Sequence, residues 1–178
     1  MIIGFGYKAR SGKDTAAGYL RDHFGFTPVA FADSLKRACA EIFGLSQEQL
    51  YGDQKEAEDP YWRDTPRNIL QKVGTECLRR GYDENVWIHS LGRKVKREPD
   101  RNWVITDVRF PNEANAVKDW GGKVVQVSRP SAPGIATNLH ASEVSMIEYE
   151  GWDYTLLNSS DLPALYANLE VMMRVLQN

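Results

Sequence analysis

A glycine-bearing segment near the amino end combines the residue types that bind a chain of phosphates. The run Gly6-Tyr-Lys-Ala-Arg-Ser-Gly-Lys-Asp-Thr15 lies between an apolar stretch and an amphipathic one. Such a loop directs backbone N–H groups inward, the following helix N-terminus adds partial positive charge, and a lysine reaches the terminal phosphates. The run therefore predicts a site for the phosphates of ATP, made of Lys8, Arg10, Ser11, Gly12, Lys13, Asp14 and Thr15.

The run departs from the common pattern G-x-x-x-x-G-K-[ST] at two positions. Tyr7 stands where the first glycine belongs, and Asp14 stands where the hydroxyl belongs. Gly6 is one residue earlier and Thr15 one residue later, so both roles are filled if the loop path differs slightly. A carboxylate repels a triphosphate unless Mg²⁺ lies between them. We therefore expect Asp14 to face the water shell of Mg²⁺ and Thr15 to face phosphate or the metal, although Asp14 could also only complement the helix dipole.

A second charged group follows the apolar run that begins at Trp103. In folds that carry such a phosphate loop, an acid at the end of a neighbouring strand holds Mg²⁺ or its water, and Asp107 stands at such a position. Arg109 is two residues further on, so it points the same way if the chain stays extended. An acid for the metal and a cation for the transferred group are thus predicted at one strand end. Glu113, early in the next helix, binds a sugar hydroxyl, orients Arg109 or only complements the helix dipole, and the residues leave all three open.

Arg129 stands at the start of a segment that contains Pro130, Pro133 and Gly134 and is predicted to form a lid at about 128–142. An arginine that closes over the site neutralises charge on the transferred group while the lid excludes water. Stacking on adenine is an alternative role for the same side chain.

A helix is predicted from Thr65, because threonine caps free backbone N–H groups and proline fits the first helical position. On this helix Arg67, Gln71, Gly74 and Thr75 fall within about 100° of arc at 3.6 residues per turn. Arg67 is suited to gripping a monophosphate, Gln71 to reading a base edge, and Gly74 to admitting a flat ring. The alternative is an ordinary solvated face.

Three further residues have both a functional and a structural interpretation. Trp87 either stacks on the acceptor base or fills the core, which is the usual place of a tryptophan. Asp33 and Lys36 follow the second predicted strand. They are either acceptor-site residues or a helix cap and a surface charge.

Short apolar runs alternate with amphipathic stretches, which predicts an α/β fold: a central parallel sheet covered by helices on both faces, in three layers. The predicted strands are 2–6, 29–32, 103–106, 124–127 and 154–157. The predicted helices are 14–24, 34–43, one from 65, 83–97, 112–120 and 162–176, with a loop or short helix within 44–64. We expect one domain over 1–178, with an acceptor-binding region at about 33–100.

Composition narrows the classes of partner. The formal net charge is −2 and the pI about 5.9, so no basic excess exists to bind polymeric nucleic acid. No apolar run approaches the roughly 20 residues that span a bilayer, and the amino end lacks the features of a secretory signal. Cys39 and Cys77 are expected to be reduced thiols in the core. A cytoplasmic protein that binds small molecules is the expectation.

The run Lys8 to Thr15 resembles the phosphate loop of the deoxynucleoside monophosphate kinases of bacteriophages, which favour the ending Gly-Lys-Asp-Thr. The resemblance continues, in order, through further short motifs that together cover most of the chain. They are Phe31-Ala-Asp-Ser-Leu-Lys36, Thr65-Pro-Arg67 with Gln71 and Gly74-Thr-Glu76, Trp87, Asp107-Val-Arg-Phe-Pro-Asn-Glu113, and His140-Ala-Ser-Glu143.

The resemblance implies a P-loop kinase that moves the γ-phosphoryl group of ATP, with Mg²⁺, to a deoxynucleoside 5′-monophosphate, and it implies a homodimer. It assigns the helix from Thr65 to the acceptor. The implied acceptor-binding set is Asp33, Lys36, Arg67, Gln71, Gly74, Thr75, Trp87, Asp107, Arg109 and Glu113. The predicted catalytic residues are Lys13, Asp107 and Arg109 of these motifs, together with Arg129 at the start of the predicted lid.

Two other functions stay open at this level. Related loops serve kinases of other small phosphate acceptors, such as phosphomevalonate or dephospho-coenzyme A. An ATP-dependent switch would hydrolyse ATP without any acceptor.

Overall fold

The computed structural model describes residues 1–8, 10–130 and 144–177. The chain divides into two compact units, Met1–Ala30 with Lys94–Asn178 and Phe31–Arg93. The first unit holds the sheet, and the second unit is helical. None of the helices in the described ranges is long and apolar enough to cross a membrane.

The elements follow one another in the alternating order that the apolar runs predict. In chain order they are β1 Ile2–Gly6, α1 Lys13–Phe24, β2 Thr27–Val29, α2 Asp33–Phe43, α3 Gln47–Tyr51, a 3₁₀ turn Asp53–Glu56, α4 Pro66–Gln71, a π-helix Lys72–Arg80, α5 Val86–Arg97, β3 Trp103–Val108, α6 Pro111–Asp119, β4 Lys123–Ser128, β5 Tyr154–Leu157 and α7 Leu162–Gln177.

The five strands form one parallel sheet in the order β2-β3-β1-β4-β5. Because parallel strands are covered on both faces, they are apolar throughout, and every residue of β1 is buried. Parallel strands also end at the same edge of the sheet. The segments that follow β1, β3, β4 and β5 therefore leave from one edge, which is where ligands bind in open α/β sheets.

Helices cover both faces of this sheet, which confirms the predicted three-layer α/β fold. On one face, Phe5 packs in a core cluster with Leu20 of α1 and Leu169 of α7, and all three are 0% exposed. On the other face, a Cβ at Gly4 would meet the Val117 side chain of α6 at 3.3 Å. Successive residues of β1 therefore contact different layers, as the two-residue period of a strand requires.

Two strand boundaries differ from the prediction. β2 spans Thr27–Val29, whereas 29–32 was predicted, because Thr27 pairs with Trp103 and the chain turns at Phe31 before α2. β3 continues to Val108, since Val108 still pairs with Gly6 of β1. Asp107 therefore lies in the strand and not after it.

The helix predicted from Thr65 begins as expected but does not continue as an α-helix. The Thr65 side chain accepts a hydrogen bond from Asn68 N at 3.2 Å, and Pro66 is the first helical residue. From Lys72 the chain is a π-helix, whose i→i+5 bonding gives wider turns. The 3.6-residue period therefore relates Arg67 to Gln71 but does not extend to Gly74 and Thr75.

The two cysteines have different surroundings. Cys39 is buried in α2, and burial raises the pKa of its thiol to about 11. Cys77 is exposed, so its expected place in the core is wrong. It lies in the π-helix, where the α-helical spacing used to place it does not hold.

Candidate active site

In the loop between β1 and α1, residues other than glycine also take the positive φ that favours glycine. Tyr7 takes a φ of 96°, Arg10 a φ of 58° and Gly12 a φ of 97°. Positive φ is uncommon for a residue with a Cβ and costs on the order of 1–3 kcal/mol. Tyr7 thus takes a conformation that favours glycine, at the position where the common pattern has its first glycine. Gly6 does not take over that role, because it is the last residue of β1.

Trp152 supports the start of this loop. Its ring meets the Tyr7 ring edge to face, with centroids 6.4 Å apart. A Cβ at Gly6 would lie 2.7 Å from the same indole, so the glycine is required by close packing. The aromatic contact stabilises Tyr7 in its strained conformation, and sequence patterns gave no sign of it.

The N-terminus of α1 lacks a side-chain cap. Its N-cap residue is Gly12, and no side chain among the described residues accepts from the first turn. Ala16 N bonds to Gly12 O at 2.9 Å, which is the first hydrogen bond of the helix. The backbone N–H groups of Lys13, Asp14 and Thr15 are therefore available to an anion, and the helix dipole favours negative charge there.

The Lys13 side chain bonds back to the loop that precedes it. Its Nζ donates to Lys8 O at 2.5 Å and to Ser11 Oγ at 3.2 Å. The pKa of Lys13 is lowered from 10.5 to about 8, mainly by burial and also by the nearby positive charge of Arg109. A phosphate group would replace loop oxygens as the partner of this ammonium and would favour its charged form.

Two carboxylates act on the same ammonium. Asp14 and Asp107 both raise the pKa of Lys13, against the larger lowering by burial. Asp14 is exposed at the start of α1, and Asp107 is half-buried near the end of β3. Mg²⁺ prefers carboxylate and hydroxyl oxygens and keeps several waters in nucleotide sites. The oxygens of Asp14, Thr15 and Asp107 have the chemistry to hold Mg²⁺ with a triphosphate.

Glu113 fixes the backbone that carries Arg109. Its carboxylate is 3% exposed and accepts from Arg109 N at 2.8 Å and from Phe110 N at 3.2 Å. The Arg109 residue itself is exposed. The bond from Phe110 N caps the start of α6, and the bond from Arg109 N holds the Arg109 backbone, so a binding role of Glu113 stays a prediction.

Arg129 is exposed and follows β4 directly. Most of the predicted lid, residues 131–142 with His140, lies outside the described residues. Glu143 lies outside them as well. Arg129 lies at the carboxyl end of β4. The loop after β1 and Asp107 of β3 lie at the same edge of the parallel sheet.

In the second unit, the arginine expected to grip a monophosphate has an acidic partner. Arg67 Nε forms an ion pair with Glu56, and the two side chains are 35% and 56% exposed. An ion pair this exposed contributes little stability, so a phosphate can exchange for the carboxylate. Gln71 lies one helical turn further along α4 and is half-buried.

Gly74, Thr75 and Trp87 form a packed group. A Cβ at Gly74 would lie 2.5 Å from Leu35 Cδ2, so this glycine permits close packing of α2 on the π-helix. Trp87 is 8% exposed, and its Nε1 donates to Gly74 O at 3.0 Å. Thr75 is buried as well. These contacts support the structural interpretation of Trp87, and an opening at Gly74 for a base stays a prediction.

Asp33 and Lys36 lie in the first turn of α2. Lys36 Nζ lies over the Tyr51 ring, 4.0 Å from its centroid. Asp33 is the first residue of the helix, where a carboxylate complements the dipole. Their binding roles stay predictions.

Similarity to known proteins covers nearly the whole chain. A protein of Acanthamoeba polyphaga mimivirus, assigned as a deoxynucleotide monophosphate kinase, is 39% identical over 184 residues, which are 95% of this chain and 94% of that protein. The chain belongs to the deoxynucleotide monophosphate kinase family. A deoxynucleoside-5′-monophosphate kinase of Escherichia phage T5 is 36% identical over 75 residues, which are 42% of this chain and 30% of that protein. No family model matches.

Solved structures of two small-molecule kinases have a similar fold. Dephospho-CoA kinase of Campylobacter jejuni superposes with a TM-score of 0.54 at 13% identity, over 98% of this chain and 96% of that one. Shikimate kinase of Aquifex aeolicus gives 0.54 at 16% identity, over 99% and 96%. These likenesses confirm the fold and carry no information about the acceptor.

Sequence patterns did not identify Asn158, which contacts the loop. Asn158 follows β5, and its Nδ2 donates to Ser11 O at 2.9 Å. Its position directly after an apolar strand is the same signal that singled out the end of β3. An asparagine after a strand is also a common turn residue, so the sequence alone gave no reason to choose it.

Proposed function

We propose that the protein transfers the γ-phosphoryl group of ATP to the phosphate of a deoxynucleoside 5′-monophosphate and so forms the diphosphate. The observation that carries the proposal is the 39% identity to the mimivirus protein over nearly the full length of both chains. The uncapped α1 N-terminus and the partly buried ammonium of Lys13 support it, because both can bind the oxygens of a triphosphate.

On this proposal, the loop residues 8–15 bind the phosphates of ATP. The first-turn N–H groups of α1 and the Lys13 ammonium take phosphate oxygens. Magnesium, when bound with ATP, would neutralise negative charge on the phosphates. Asp14, Thr15 and Asp107 are the residues that would hold it, directly or through water.

Phosphoryl transfer depends mainly on positioning and on charge stabilisation, so no residue needs to form a covalent intermediate. The acceptor phosphate oxygen attacks the γ-phosphorus in line, and ADP leaves. Lys13, Arg109 and Arg129 neutralise charge on the transferred group. Glu113 keeps the Arg109 backbone in place through two N–H groups.

Acceptor binding is assigned to the other predicted residues. Arg67 exchanges Glu56 for the monophosphate, because a guanidinium binds phosphate through two parallel hydrogen bonds. Gln71, on the same face of α4, reads the base. Asp33, Lys36, Gly74, Thr75, Trp87, Asp107, Arg109 and Glu113 complete the proposed set.

The decisive experiment offers all common deoxynucleoside and nucleoside monophosphates, together with dephospho-coenzyme A and phosphomevalonate, to the purified protein with ATP and Mg²⁺. Direct detection of the phosphorylated product is compared with the ADP released. We expect a deoxynucleoside diphosphate in one-to-one ratio with ADP. Product from a non-nucleotide acceptor alone would replace the proposed substrate, and ADP without any phosphorylated acceptor would indicate a switch.

Lys13→Ala tests the loop in the same assay. Loss of one charged group that acts on the transferred phosphates is expected to lower kcat by about 10²–10³-fold. Lys123→Ala is the matched control, because Lys123 is an exposed lysine at the start of β4. A Lys13→Ala protein as active as this control would overturn the proposed site.

The family resemblance also implies a homodimer. Sedimentation equilibrium of the purified protein measures its mass directly. A mass twice the 20.2 kDa of one chain is expected.

A further inference from the structure

Asn158 is held in place by the elements around it. Its backbone N–H donates to Ser128 O, at the end of β4, at 2.8 Å. The preceding residue, Leu157, accepts from Asn168 Nδ2 of α7 at 3.0 Å. The side chain of Asn158 is therefore presented from a fixed backbone at the carboxyl edge of the sheet, and the residue is 8% exposed.

The Asn158 side chain reaches the phosphate loop, which is 147 residues away in the chain. Its Nδ2 donates to Ser11 O at 2.9 Å in a buried environment. Ser11 itself is 1% exposed. A buried hydrogen bond of this kind is costly to break, because the carbonyl is left without a partner.

This bond sets the direction of a backbone N–H group in the loop. In a trans peptide the carbonyl and the following N–H are coplanar and point in opposite directions. The described part of the chain has no cis peptide bond. Because Ser11 O points to Asn158, the N–H of Gly12 points away from it.

Gly12 suits this contact because it has no side chain and takes a positive φ. Its φ of 97° favours glycine, and a Cβ there would overlap Asn158 Nδ2. The amide of Asn158 thus occupies the space that a side chain at position 12 would need. The two residues act as a pair that fixes the Ser11–Gly12 peptide plane.

We infer that Asn158 is a positioning residue for the phosphates of the nucleotide. It acts through the Ser11–Gly12 peptide, whose N–H it directs toward the bound phosphates. The inference rests on the proposed function only in assigning residues 8–15 to ATP, and it does not depend on the identity of the acceptor.

Asn158→Asp tests it with almost no change in shape. A carboxylate oxygen replaces the donor and repels Ser11 O. Calorimetric titration with ATP-Mg²⁺ in the absence of acceptor gives the nucleotide affinity, and thermal melting reports the fold. We expect the Kd and KM for ATP to rise about tenfold to hundredfold, from the cost of an unmade buried hydrogen bond. The KM for the acceptor should stay within about twofold.

Tyr19→Phe is the matched control. It removes a side-chain hydrogen bond between parts of the chain that are similarly distant in sequence, from the Tyr19 hydroxyl of α1 to Glu170 of α7 at 2.8 Å, and it leaves residues 8–15 and Asn158 unchanged. It should lower the melting temperature without changing ATP affinity. An equal loss of ATP affinity in both variants, or an unchanged affinity in Asn158→Asp, would overturn the inference.

Asn158→Ala removes the donor without adding charge and serves if the aspartate variant does not fold. Should neither variant fold, Asn158 is needed for folding and the inference is wrong. If the wild-type protein phosphorylates no deoxynucleotide but Asn158→Asp still binds ATP more weakly, the proposed function fails and the inference stands. If the wild-type protein does not bind ATP, both fail.

Discussion

The indole Nε1 of Trp87 donates a hydrogen bond to the carbonyl oxygen of Gly74 at 3.0 Å. The bond joins the second residue of α5 to the π-helix, and both residues are buried. A carbonyl in a π-helix has an unusual bonding pattern, and π-helical segments are frequent at functional sites. Trp87 thus stabilises the turn of helix that carries Gly74 and Thr75.

Replacing Trp87 by phenylalanine separates this bond from ring packing. Trp87→Phe should lower the free energy of unfolding by about 1–3 kcal/mol, because the Gly74 carbonyl loses a buried partner and some ring volume is lost. Urea unfolding measures the change. An unchanged KM for the acceptor beside this loss supports the structural role, whereas a stable variant with a raised acceptor KM would favour stacking on the base.

Lys13 should make ATP binding dependent on pH. Its pKa is lowered to about 8, so its ammonium loses its proton in the free protein as pH rises through about 8. Since phosphates bind the charged form, ATP affinity and kcat/KM should fall above this pH. Asp14 raises the pKa of Lys13, so Asp14→Asn should move the midpoint to lower pH. Initial rates between pH 6 and 10 test both statements, and a flat profile over this range would contradict them.

Glu56 is expected to compete with the acceptor for Arg67. Glu56→Gln removes the ion pair and leaves the guanidinium to the monophosphate. The KM for the acceptor should fall about two- to fivefold, which corresponds to the small free energy of an exposed ion pair. Glu48→Gln is the control, since Glu48 is another exposed acid of this region and accepts from Asp53 N. A raised acceptor KM in Glu56→Gln would mean that Glu56 orients Arg67.

Gly12→Ala is expected to lower ATP affinity, and backbone strain alone does not explain this loss. Gly25 also has a positive φ, of 67°, but a Cβ there would meet no atom within 4 Å. Both alanine variants carry the strain of a left-handed residue, of about 1–2 kcal/mol. Only Gly12→Ala displaces the Asn158 amide. Melting temperatures should therefore fall in both, while ATP affinity falls in Gly12→Ala alone.

Much of the fold could be predicted because its signals are local. The apolar runs at 2–6, 103–106, 124–127 and 154–157 each lie within observed strands. The hydrogen bonds and side-chain periods of an element involve residues a few positions apart, so a short window of sequence contains them. The boundary of β2 was wrong because pairing of Thr27 with Trp103 extends the sheet beyond what the local pattern indicates.

The sequence by itself determined the parallel three-layer fold and the strand ends where charged residues gather, and it predicted a phosphate site at residues 8–15. Only the tertiary structure decided that Asn158 holds Ser11, that Trp152 supports Tyr7 and that Glu113 holds the backbone of Arg109. It also decided that the helix after Gln71 widens into a π-helix. The reason is physical: helix and strand formation depends on near neighbours in the chain, whereas these contacts join side chains whose distance is fixed only when the sheet and its helices have packed.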